Sequence, residues 1–248
     1  MNKNWQQKLI AYPLSAIYYL LFGGTLVIFH VIQWICFNLF GYKAHKISAD
    51  GLMFFLVINT YILGTKYKVT GLEKLPLGTP LIIASNHQSW YDITALGWFL
   101  RRVHPKFVSK IELGKGIPSI SYNLRHGGSV LIDRKNAKQA ISAIQEMGKY
   151  IETHKRSVVI FPEGTRSRTA EPRPFAVNGL KILCKYAPSA SVIPVTINNT
   201  WKMTRWGSFP LGMCNTLEFI IHDPISVKDM PFQALFDKTE RIITEAIS

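Results

Sequence analysis

The chain has 248 residues and three cysteines, Cys36, Cys184 and Cys214, at unrelated spacings. This length carries one domain, or one domain with an appendage, and the cysteines form neither a disulfide framework nor a CxxC metal knuckle, which fits a reducing compartment. The net charge of +14 is uneven: residues 98–186 hold 17 Lys/Arg against 6 Asp/Glu, a balance of +11 that favours an anionic partner (a phosphate-bearing substrate, an acidic carrier protein, anionic lipid or nucleic acid) over a merely solvated basic face.

Leu9 to Phe40 carries no Asp, Glu, Lys or Arg over 32 residues. About 20 apolar residues span a bilayer, so this run predicts a membrane-embedded helix; the bland alternative is a buried core helix. Gly23-Gly24, with His30 and Gln33 inside the run, predict a kink. Lys3 and Lys8 precede it and Lys43 and Lys46 follow it, so flanking charge sets no clear orientation. The run is too long for a signal-peptide core, and no small-residue cleavage site follows. A second apolar run, Leu52 to Leu63, is only 12 residues and suits a re-entrant or interfacial helix. Between them, His45 and Asp50 read as part of a solvated membrane-edge connection. Residues 1–65 are thus expected to form a membrane anchor and 66–248 a separate globular domain, with deletion of Met1 to Gly64 harming bilayer association more than the fold.

Downstream, strands are predicted at 66–70, 81–84, 106–109, 129–132, 157–161, 191–197 and 217–221. Helices are predicted at 89–101, 136–151 (capped by Asn136, with Ala140, Ile144, Met147 and Ile151 on one face), 176–186 and 232–247. Strands alternating with helices indicate an α/β fold, a largely parallel sheet flanked by helices, behind the membrane-embedded helical segment.

Three stretches carry candidate chemistry. Asn86-His87-Gln88-Ser89-Trp90-Tyr91-Asp92 follows the strand at 81–84, which places a histidine and a carboxylate just past a strand end. Residues five apart on one helix point about 140° apart, so His87 and Asp92 meet only if His87 precedes the helix and Asp92 lies in its first turns. Neutral His87 then takes a hydroxyl proton while Asp92 fixes the tautomer and stabilises the imidazolium. Alternatively His87 is a satisfied loop histidine, and His45–Asp50 shows that the spacing alone decides nothing. Gly128 to Arg134 delivers an arginine at a strand end, and Phe161 to Ser167 presents Glu163, Gly164, Thr165 and Arg166 in one turn. Arg134 and Arg166 suit a phosphate. Glu163 either accepts from a polyol or pairs with Arg134 or Arg166 to hold the loop, and Gly164 permits close backbone approach or a positive φ in the turn. Farther on, Val192-Ile193-Pro194-Val195 is an apolar strand interrupted by proline.

In this order the blocks resemble those of the glycerolipid acyltransferases, more narrowly the small bacterial 1-acyl-glycerol-3-phosphate acyltransferases. The family's NHxxxxD is matched by Asn86, His87 and Asp92. Its G-x-x-F-I-x-R is matched by Gly128, Ile132 and Arg134, with Leu131 replacing the aromatic. Its F-P-E-G-T-R-S is matched at every position from Phe161, and its proline-bearing strand at Pro194. The resemblance implies His87 as general base on the free sn-2 hydroxyl of a lysophospholipid, Asp92 orienting it, and Arg134 and Arg166 on the acceptor's phosphate. Glu163, Gly164 and Thr165 would shape the glycerol site, and Lys110, in a loose match, would bind phosphate or the developing oxyanion. It further implies an acyl thioester donor, acyl-CoA or acyl-acyl carrier protein, direct transfer without an acyl-enzyme, no cofactor, membrane lipid as surroundings, and a bacterial inner membrane with the catalytic domain on the cytosolic side. No metal site or nucleic-acid partner is expected: the remaining histidines show no ligand spacing, and no nucleotide-binding glycine motif occurs. Within the enzyme class the alternative is an acyltransferase acting on another lysophospholipid or an acylated amino-acid lipid; the rival class is a basic, membrane-tethered binding protein, for which His87 would be dispensable.

Overall fold

The structure, a computed structural model, describes residues 3–248, with side-chain surroundings from residue 5 onward; Met1, Asn2 and the flanking charge of Lys3 fall outside that description. Helix α1 (Lys3–Asn59) is two arms that meet at Gly41, whose φ of 74° and ψ of −166° no side-chain-bearing residue adopts readily. The bend is therefore at Gly41 and not at Gly23-Gly24, where the helix continues. The arms run antiparallel: Asn59 donates to Thr25 (2.9 Å), Phe29 meets Phe55, and Phe37 meets His45. Leu52 to Leu63 is thus the end of the second arm and its closing turn, a helix packed on protein rather than a free re-entrant element.

The first arm is long and apolar enough to cross a membrane, and little of its apolar surface is covered. Leu20, Val27, Ile28 and Phe40 face outward, whereas Ala11, Ser15, Tyr18, Leu26 and Gln33, spaced along one helix face, are buried. Ser15 accepts from the Leu211 amide and Ser119 donates to the Leu26 carbonyl, so the hairpin is stitched to the rest of the chain. Tyr18 and Leu63 join the same core cluster as Ile83, Ala95 and Val159. The boundary near residue 65 marks where helix gives way to strand, but the packing runs across it. His45 corrects a further expectation: it is fully buried, its ring against Phe37 and Tyr122, and Asp50 pairs with Lys46 rather than with it.

Seven strands form the path β1 (Lys66–Thr70), β7 (Thr216–Ile221), β6 (Ser191–Asn198), β2 (Leu81–Ser85), β5 (Ser157–Ile160), β3 (Pro105–Lys110), β4 (Val130–Ile132), and β8 (Ile225–Ser226) pairs with β6. From β6 to β4 every pairing is parallel; β7 and β8 run against β6, and β1 runs with β7. Strands β2 and β5 are buried at every residue, which is why Leu81–Ala84 and Val158–Ile160 appear in sequence as unbroken apolar runs. Alternate residues feed two cores. Leu81 and Ile83 face α1 and α2 (Tyr91–Phe99); Ile82 and Ala84 face α4 (Ala137–His154), α5 (Val177–Tyr186) and α6 (Phe232–Glu245). In α4 the Asn136 side chain accepts from the Gln139 amide, and Ile144, Met147 and Ile151 are buried as the spacing predicts. Helix α3 (Ile120–His126), between β3 and β4, was not foreseen.

Pro194 is tolerated mid-strand because its neighbour is interrupted there. Strand β8 pairs with Ser191 and Val192, β7 resumes at Val195, and the intervening His222 amide donates to the Pro194 carbonyl at 3.0 Å.

Candidate active site

Because β2, β3, β4, β5 and β6 are parallel, the residues that follow each of them emerge on one edge of the sheet. Asn86 and His87 leave β2, Phe161 to Ser167 leave β5, Thr200 follows β6, Lys110 ends β3 and Arg134 follows β4. All the residues singled out in the sequence therefore share this edge, which β2, β5 and β6 centre.

The loop after β2 is pinned before it reaches the histidine. Asn86 forms a two-way bond with the Ile197 peptide of β6, Nδ2 donating to its carbonyl (2.8 Å) and Oδ1 accepting from its amide (2.7 Å). On the other flank, Glu163 Oε1 accepts from the His87 amide (2.9 Å) and Oε2 from the Arg173 amide (3.2 Å). The His87 carbonyl in turn accepts from the Ser167 amide at 2.8 Å. Glu163 therefore clamps the β2 and β5 loops together through backbone amides, and among the described residues it pairs with neither Arg134 nor Arg166. Burial raises its pKa, while the two amides pull it down. Gly164 closes the turn with φ 67° and its amide on the Phe161 carbonyl, as the expected positive φ requires.

Helix α2 starts at Tyr91, so His87 precedes it and Asp92 is its second residue, the arrangement that the five-residue spacing demands. The bond between His87 Nδ1 and Asp92 Oδ2 is 2.7 Å. Asp92 is fully buried, and its charge is dispersed over several donors. Oδ2 also accepts from the Gln88 and Ser89 amides (2.7 and 2.9 Å), and Oδ1 accepts from the Ser89 and Thr200 hydroxyls. A carboxylate so supplied only accepts, so the hydrogen lies on His87 Nδ1 and the Nε2 lone pair is free. Nε2 has no protein partner among the described residues. The ring stacks on Phe161 with centroids 4.0 Å apart and planes 17° from parallel. Imidazole position, tautomer and tilt are all set before any ligand arrives.

Arg166 stands over the exposed ring of Trp90, 4.4 Å from its centroid, at the rim of the same loop. Thr165 is exposed beside it. Lys110 and Arg134 are exposed farther along the edge, two and three strand spacings, about 10 and 14 Å, from β2; neither touches the His87–Asp92 pair. One residue of this site escaped the sequence reading. Thr200 is fully buried; its hydroxyl donates to Asp92 and its amide to Gln88 Oε1 (3.1 Å). The available signal was a threonine just past the end of the strand that flanks β2. Among the described residues no three His, Cys, Asp or Glu side chains converge as metal ligands.

The profile of the Acyltransferase family matches residues 66–198, which hold every one of these residues except Thr200. A chloroplastic 1-acyl-sn-glycerol-3-phosphate acyltransferase of Brassica napus is 32% identical over 161 residues, 64% of this chain and 45% of that one. A 1-acyl-sn-glycerol-3-phosphate acyltransferase of Saccharomyces cerevisiae is 27% identical over 219 residues, 86% of this chain and 64% of that one. The chain thus spans about half to two-thirds of the length of these curated relatives. The crystal structure of the 1-acyl-sn-glycerophosphate (LPA) acyltransferase PlsC from Thermotoga maritima shares the fold, with a TM-score of 0.82 at 22% identity over 97% of this chain and 96% of that one.

Proposed function

The chain belongs to the Acyltransferase family, and from that premise we propose that it moves a fatty acyl group from an acyl thioester to the sn-2 hydroxyl of 1-acyl-glycerol 3-phosphate, giving phosphatidic acid. One observation carries this reading: His87 presents an unoccupied Nε2, with its other nitrogen bonded at 2.7 Å to a buried carboxylate, at the edge where the basic residues gather. Nε2 takes the hydroxyl proton as the alkoxide attacks the thioester carbonyl. The imidazolium then returns that proton to the departing thiolate, so an ester and a free thiol are formed. Asp92 stays ionised and balances the transient charge.

Arg166, at the rim beside His87, holds the acceptor's phosphate, with Arg134 and Lys110 supplying further positive field along the edge. Lys110 is also the candidate to stabilise the tetrahedral oxyanion. Glu163 acts by placing the His87 backbone, and Gly164 and Thr165 form the turn against which the glycerol rests. No cofactor is required; the donor is acyl-CoA or acyl-acyl carrier protein. The uncovered apolar arm of α1 would hold the protein in the bacterial cytoplasmic membrane with the sheet on the cytosolic side, where lysolipid and acyl chain reach the edge without crossing water.

The test uses purified full-length protein in detergent with lysophosphatidate and acyl-CoA or acyl-acyl carrier protein, following thiol release and diacyl product by mass spectrometry. His87→Ala is expected to lose roughly 10²–10⁴ in turnover with its unfolding transition kept. Undiminished turnover in that variant, or no product from the unaltered chain with either donor, overturns the reading.

A further inference from the structure

The opposite edge of the sheet, where β3 and β5 begin, holds a buried cation without a counter-charge. Lys106, the second residue of β3, is only 5% exposed and forms no ion pair among the described residues. Lysines at that depth are almost always paired, because an isolated ammonium pays heavily for leaving water. Further cations surround it. Arg156, in the turn before β5, lies 4.5 Å from the Tyr42 ring centroid and 5.2 Å from that of Tyr150; the Lys106 ammonium is 5.4 Å from the Tyr42 centroid. Lys46 is close enough, with Lys106 and Arg156, to help burial hold the His104 imidazole down to about 4. Burial first, and then Arg156 and Lys46, lower the pKa of Lys106, although Tyr42 opposes them. The carboxylate beside this group, Asp50, is already taken by Lys46.

One polar atom here also lacks a partner: His104 Nδ1 is buried with no hydrogen bond, while the buried Tyr42 hydroxyl is turned to the Lys106 ammonium. A small cavity of about 30 Å³ lies against Lys46, Asp50, Lys106, Asn123 and Ser129, and a larger cleft of about 390 Å³ shares Ser129 with it and is walled by Tyr150. Aromatic faces attract cations but do not neutralise them. We propose that Lys106 and Arg156, with the Tyr42 hydroxyl, form a binding site for a phosphate oxyanion, separate from the catalytic edge. The length of β5, about 13 Å, lies between the two. A lipid headgroup and a free phosphate offer the same chemistry; Tyr42 and Lys46 follow directly on the Gly41 bend where the apolar arm ends, within reach of either source.

The test uses the full-length chain carrying Arg134→Gln and Arg166→Gln, which takes the catalytic-edge guanidinium groups out of contention. Thermal unfolding is followed with inorganic phosphate against chloride at equal ionic strength, and in phosphatidylcholine nanodiscs with and without phosphatidylglycerol. A Tm rise of roughly 5–10 °C is expected at a hundredfold excess over Kd, and it vanishes on adding Lys106→Met or Arg156→Gln. A rise with phosphate assigns a soluble ligand; a rise only with phosphatidylglycerol assigns a headgroup. In phosphate-free buffer Lys106→Met is expected to be at least as stable as its parent, since an uncompensated charge is removed; a role as mere packing predicts the reverse. A rise that survives both variants, or no rise with either probe, overturns the proposal.

Discussion

Thr200→Val replaces a hydroxyl by a methyl of nearly the same size and leaves the backbone amide on Gln88 untouched. What it removes is the donor on Asp92 Oδ1, at a fully buried carboxylate whose remaining contact on that oxygen is the longer Ser89 hydroxyl bond of 3.3 Å. A hydrogen bond to a buried charge contributes about 1.5–3 kcal/mol. If that support is lost when Asp92 must brace the imidazolium, turnover falls roughly 10- to 100-fold, at about 1.4 kcal/mol per tenfold. The assay is the thiol-release reaction at neutral pH, beside thermal unfolding, with Thr200→Ser as the variant that restores the donor. Wild-type turnover in Thr200→Val would refute the argument, as would a Thr200→Ser variant no better than the valine.

Other consequences follow from particular contacts. Asn86→Ala leaves the buried amide and carbonyl of Ile197 unpaired and is expected to cost about 2–4 kcal/mol, a Tm drop of roughly 5–15 °C; a drop under 2 °C contradicts it. Deleting residues 1–64 removes Tyr18 and Leu63 from the core cluster around Ile83 and Ala95. Re-exposing a handful of such side chains, at about 1.5–3 kcal/mol each, costs on the order of 10 kcal/mol, as much as a domain's whole stability. Contrary to the division expected from sequence, the truncated chain should show no cooperative unfolding by circular dichroism; a transition near that of the full chain would disprove this. His104, held down to about 4 from an ordinary 6.5, has a folded-state pKa below its unfolded one, so its contribution to stability is present above pH 6.5 and lost as pH falls towards 4. Urea midpoints at pH 7 and pH 5 should differ less in His104→Gln than in the unaltered chain; equal differences would count against the shift.

Much of the molecule was legible in sequence wherever one local interaction dominates. Leu81–Ile83 and Val158–Ile160 announce themselves because a strand buried on both faces is apolar nearly throughout. Asn136 caps α4 through its own neighbour, Gln139, and the apolar face of α4 follows from helical periodicity. The five-residue step from His87 to Asp92 required a helix to begin between them, and one begins at Tyr91.

What only the tertiary structure decided concerns residues whose partners are remote. His45 and Asp50 repeat the spacing of His87 and Asp92, yet both lie within α1 and point to different neighbours, His45 to aromatic rings and Asp50 to Lys46. Glu163 spends both oxygens on backbone amides, which no side-chain motif can display. Thr200 meets Asp92 across 108 positions of chain. Lys106 lies under Tyr42 and Arg156 only because the Gly41 bend returns α1 to the far edge of the sheet. Short-range order is written in propensity and periodicity, whereas the environment of a charge depends on which distant segments close over it and exclude water.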